Sequence, residues 1–168
     1  MCCVPLNCAI VCHLWHTLEE ALPTTMTELY TKIILNVILR NIQKNEAFKS
    51  ILSLSNFSAL PEDLQQSWWL LCEFAFQTLE KDQIVFSQEE LVDFFPQGLR
   101  LDEKILCFGL LQSTESILET GCGFSFHFLH LTFQEYLAAL YLARQPPEKQ
   151  LKVLESYNSE MNSSVSKS

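Results

Sequence analysis

The sequence predicts a mainly α-helical chain: a helical hairpin followed by a winged helix with a small two- to three-stranded β-wing. Three observations carry that expectation. Of 168 residues, 48% are hydrophobic and only four are Gly, a composition suited to a helix-rich core. Apolar residues recur at i, i+3 and i+4 along most of the chain. The stretch from Phe124 to Arg144, FSFHFLHLTFQEYLAALYLAR, changes period partway, from 2 to that of a helix.

Taken in order, the first helix is expected over residues 4–20, where Pro5 suits an opening turn and Leu6, Ile10, Leu14 and Leu18 share one face. Cys8, Cys12 and His16 also share a face there, a spacing that could seat a metal with Cys2 or Cys3 as a further ligand. No paired CxxC supports a metal site, so thiols acting as small apolar fillers are the simpler reading. Pro23 breaks this helix, and Thr25-x-x-Glu28 reads as a capping box opening the next, which carries Met26, Leu29, Ile33, Val37 and Arg40.

Residues 46–60 are polar and Ser-rich and read as a linker. A long helix follows from about Pro61, with Leu64, Trp68, Leu71, Cys72, Ala75 and Leu79 on one face. Ile84-Val85-Phe86 reads as a short strand, and Ser87-x-x-Glu90 caps a helix ended by Pro96 and Gly98. A further helix is expected over 102–112, then a weak strand near Ser116–Glu119 and a turn at Gly121-Cys122-Gly123. In the firm strand that follows, Phe124, Phe126 and Phe128 alternate with Ser125 and His127. Thr132-Phe133-Gln134-Glu135 reads as the capping box of the last strong helix, with Leu131 and Tyr136 as its hydrophobic staple. Pro146-Pro147 end that helix; Glu148 to Tyr157 begins another, and the Ser- and Asn-rich remainder reads as a disordered tail.

Two of these stretches resemble a known family. Phe128, His130, Thr132, Phe133, Gln134, Glu135, Tyr136, Ala138 and Ala139 match F-x-H-x-[ST]-F-Q-E-[FY]-x-A-A, which closes the winged-helix domain of NOD-like receptors, NACHT-type nucleotide-switch proteins of innate immunity. Leu22-Pro23-Thr24-Thr25-Met26-Thr27-Glu28-Leu29-Tyr30 is similar to the end of the family's first helical domain. The resemblance implies that residues 1–45 belong to helical domain 1, 61–145 form the winged helix and 146–168 begin a second helical domain. It implies that His130 contacts the β-phosphate of ADP and that Pro5 packs on the adenine. It also implies partners: a NACHT core in cis or trans, other receptor protomers and inflammasome-type signalling adaptors in the cytoplasm. Without the resemblance, His130 reads as a histidine satisfied within the core, and His127 as solvent-facing.

The motif G-x-x-x-x-G-K-[ST] does not occur in the chain, and none of Gly98, Gly109, Gly121 and Gly123 precedes a Lys. ADP or ATP is therefore expected only beside a complete NACHT core, with no cofactor and no hydrolysis for this chain alone. Winged helices often bind DNA, yet residues 61–145 hold four basic side chains against thirteen acidic ones, which excludes the phosphate contacts that dominate such affinity. Cys122 with His127 or His130 lacks an orienting third group, and Glu19-Glu20 and Glu89-Glu90 read as solvated helix faces. The seven Cys scattered among apolar residues suit a reducing, cytoplasmic setting, and no apolar run is long enough to cross a bilayer. A stand-alone winged helix that binds protein, with no nucleotide role, is the alternative.

Overall fold

The computed structural model describes residues 23–44, 46–49, 51, 53–95, 105–118 and 121–165. The first-helix expectation over 4–20, with Pro5 and the Cys8, Cys12 and His16 face, lies outside them. Helix α1 spans Met26–Ile42. Thr25 caps it, accepting from the Glu28 N–H at 3.1 Å. The Glu28 carboxylate reaches one residue past the cap, to the Thr24 N–H at 3.0 Å, and this bond holds its pKa below the ordinary value. Leu29, Ile33, Ile34, Ile38 and Ile42 form the buried face.

The apolar side chains described within 46–60 lie on the core. Phe48, Ile51, Leu54 and Phe57 pack against it, and the Phe57 ring stacks on Trp68 at 4.6 Å. Of two 3-10 turns there, Glu46–Phe48 and Phe57–Ala59, the second is held by the Asn56 side chain, which accepts from the Ala59 N–H at 3.0 Å. Helix α2, Glu62–Leu79, is the central element. Its buried face carries Leu64, Trp68, Leu71, Cys72 and Ala75, as the spacing predicts. Phe74 on the same helix meets Phe86 at 4.9 Å and Phe95 at 5.5 Å.

Strand β1, Val85–Ser87, passes directly into helix α3, Gln88–Phe94. The Ser87 capping box forms in full: its Oγ accepts from the Glu90 N–H at 3.1 Å, and Glu90 accepts from the Ser87 N–H at 2.7 Å. That backbone donor is the main reason the Glu90 carboxyl is held below its ordinary pKa.

The helix expected over 102–112 is corrected within the described part of it. Residues 106–108 form one 3-10 turn, Gly109 follows with a left-handed φ of 70°, and strand β2 runs from Leu111 to Leu118. A left-handed residue stops the helical hydrogen-bond series, and β3, Gly121–Phe128, supplies a partner along the whole length of β2. The sheet is antiparallel, in the order β1-β3-β2, with Phe86 opposite Phe126 and Leu111 opposite Phe128. Phe126 and Phe128 are buried, whereas Phe124 is 47% exposed. The alternation is as expected, but β1 pairs only with residues 125–127, so Phe124 lies past the end of that strand.

Helix α4 spans Leu131–Ala143, and α5 spans Pro147–Val165, continuing through the Ser- and Asn-rich stretch read as a tail. The chain is thus mainly helical, with a small three-stranded antiparallel sheet that fits a winged-helix wing. Among the described residues, no helix is long and apolar enough to cross a membrane.

Candidate functional site

The change of period between β3 and α4 places His130 at the corner where strand becomes helix. Leu129 closes the strand end, its N–H donating to the Leu110 carbonyl at 2.8 Å. His130 follows in extended backbone, with φ −156° and ψ 148°, and serves as the N-cap of α4. Its Nδ1 accepts from the Thr132 N–H at 3.2 Å and lies 2.9 Å from the Thr132 Oγ1. The expected cap at Thr132 is therefore corrected: the helix starts one residue after His130, and the imidazole does the work assigned to the hydroxyl. With the cap moved, Glu135 is exposed and lies beyond the third helical position. Leu131 is 42% exposed and forms no staple.

The remaining motif residues hold α4 in place. Phe133 is buried edge-on to Tyr30 of α1, with ring centroids 6.3 Å apart. Tyr136 lies 5.9 Å from the same ring, and its hydroxyl hydrogen-bonds Thr31 Oγ1 at 2.5 Å. Gln134 is buried and secures the other side. Its amide donates to Thr78 Oγ1 at 2.9 Å and to the Gln83 carbonyl at 3.0 Å, where α2 ends. The Thr78 hydroxyl donates to the Phe74 carbonyl at 2.8 Å, so its oxygen is left to accept. With α4 packed on two helices, the half-buried His130 ring and the Thr132 hydroxyl lie together at the junction.

Comparison with known proteins adds one relative. The chain is similar to Protein NLRC5 of Ictalurus punctatus, with 28% identity over 159 residues. That match takes in 90% of this chain and 8% of the relative, so the chain spans a small part of that protein. It supports a NOD-like receptor relationship. No family model matches.

Within that relationship, the Pro5 expectation lies outside the described residues. Sequence reasoning missed the anchoring roles of Gln134, Thr78 and Thr31; the one signal available was a Gln set among the apolar positions of a helix. Among the described residues there is no cluster of three or more His, Cys, Asp or Glu able to hold a metal. Burial pushes the Cys72 thiol far above its usual range and that of Cys107 up to about 11, so neither is a ready nucleophile. Arg144 lies over the Trp69 ring at 3.7 Å, beside a cleft of about 420 Å³ between α2 and α4.

Proposed function

We propose that this chain is a regulatory segment of a NOD-like receptor, in which His130 adds a phosphate contact to ADP held mainly by a NACHT core. The observation that carries this is the placement of His130. Its Nδ1 is turned inward to cap α4, which directs the Nε2 side away from the cap. An Nε2–H group at a helix N-terminus suits a phosphate oxygen, because an N–H donor and the partial positive charge of the helix end act together. Bound ADP would supply an anion bridging the core and the winged helix, and Pro5 would pack on its adenine.

Exchange for ATP would remove the His130 contact, freeing the winged helix to rotate and expose a surface for oligomerisation with other protomers and for adaptor binding. Such signalling would be cytoplasmic. The similarity to Protein NLRC5 supports the family setting, and the half-buried corner position supports the residue's role. A second reading, a protein-binding winged helix with no nucleotide role, is favoured by the exposed Ile84, Val85, Val92 and Phe124.

The substitution that separates these readings is His130→Asp. Asp ranks among the best N-caps, so α4 keeps its acceptor, while a carboxylate replaces the donor facing the phosphate. Expressed in an intact receptor carrying this segment, the variant should raise ligand-independent assembly at matched protein level and unchanged thermal stability. Assembly equal to wild type would remove the phosphate role and favour the second reading.

A further inference from the structure

We infer that Thr132 is a positioning residue that fixes the tautomer of His130, so that the imidazole meets its ligand as an Nε2–H donor. This deepens the proposed phosphate contact and rests on it for its purpose, although the tautomer itself is set by groups on this chain alone. A backbone N–H can only donate, and that of Thr132 reaches Nδ1 at 3.2 Å. Nδ1 must therefore present its lone pair. A hydroxyl can donate or accept, but Thr132 Oγ1, 2.9 Å from the same nitrogen, faces a lone pair and must donate. Two donors from one residue converge on Nδ1, and the ring proton belongs on Nε2.

The opposite tautomer would set an Nδ1–H against the Thr132 N–H and break the cap of α4. The ligand class follows. An Nε2–H serves acceptor oxygens, such as those of a phosphate or carboxylate, and offers no lone pair to an ammonium or hydroxyl donor. The Thr132 N–H biases which ring nitrogen presents a hydrogen, and the hydroxyl follows that choice.

The test is the side-chain nitrogen NMR spectrum of His130 in the full chain labelled at histidine, assigned by its disappearance in His130→Asn. The wild type should show an unprotonated Nδ1 and a protonated Nε2. Thr132→Val keeps the backbone donor and removes only a hydroxyl that could meet either tautomer, and should keep this pattern. Thr132→Pro removes the N–H donor in the first helical turn and should shift the ring toward a mixture of tautomers. An Nδ1–H ring in the wild type would overturn the inference even if Thr132→Pro failed to fold, and an unchanged spectrum in Thr132→Pro would overturn the role of the Thr132 N–H. No nucleotide enters this measurement, so its failure is distinct from failure of the phosphate reading, which ADP retention reports.

Discussion

Replacing Trp68 with alanine should cost the fold about 3–5 kcal/mol, the range for truncating a large aromatic in a packed core. Trp68 is fully buried on α2 and joins segments far apart in sequence. Its ring stacks on Phe57 at 4.6 Å and 18°, and meets Phe108 edge-on at 5.6 Å and 82°. Phe57 belongs to the Ser-rich 46–60 stretch, and Phe108 to the turn before β2. Losing the indole would loosen both attachments. Among the described residues the indole N–H has no hydrogen-bond partner, so Trp68→Phe deletes a buried, unsatisfied donor along with some volume. It should cost much less than the alanine variant. Urea unfolding is the measurement: the midpoint should fall steeply for alanine and slightly for phenylalanine, with little change in slope. Equal losses for both would mean that ring stacking contributes little here.

Gly109→Ala should be the second most damaging change, for two reasons that can be separated. The φ of 70° costs a non-glycine residue about 1–2 kcal/mol. In addition, the new Cβ would lie under 3.0 Å from the side-chain amide of Asn41 on α1. That amide is engaged: its Nδ2 donates to the Val37 carbonyl at 2.8 Å, and its Oδ1 accepts from Lys44 at 2.7 Å. Moving it disturbs the contact between α1 and the turn before β2. Asn41→Ala in the Gly109→Ala background should relieve the clash and leave the backbone cost, a coupling of about 1 kcal/mol in a double-mutant cycle. Strict additivity of the two substitutions would show that the turn and α1 do not press on each other.

These two sites also mark how far the sequence could be read. Local chemistry was legible at several places where donor and acceptor lie within a few residues of each other. The Ser87 box, the Thr25 cap and the buried stripe of α2 all follow from spacing alone. Ile105, Leu106, Phe108 and Leu111 also fit a helix by spacing. The conformation of Gly109 and the partner strand decide otherwise, and β3 lies well downstream. Thr132 is the better N-cap by residue type, yet the Leu129–Leu110 bond that closes the strand leaves His130 extended and hands it the role. Gln134 was beyond reach, because Thr78 and Gln83 come from a distant helix end.

The candidate site was legible for a different reason. Several polar identities, from His130 through Tyr136, matched a family pattern that packing alone would not require. The structure gives Phe133, Gln134 and Tyr136 anchoring roles within the fold, which leaves His130 as the residue on which the nucleotide proposal turns.

The most direct measurement is ADP release from a NACHT core supplied in trans, followed with fluorescent ADP in the presence of this chain. Wild-type chain should slow release, and the equally stable His130→Asp chain should not. Identical release with both chains would contradict the proposed phosphate contact.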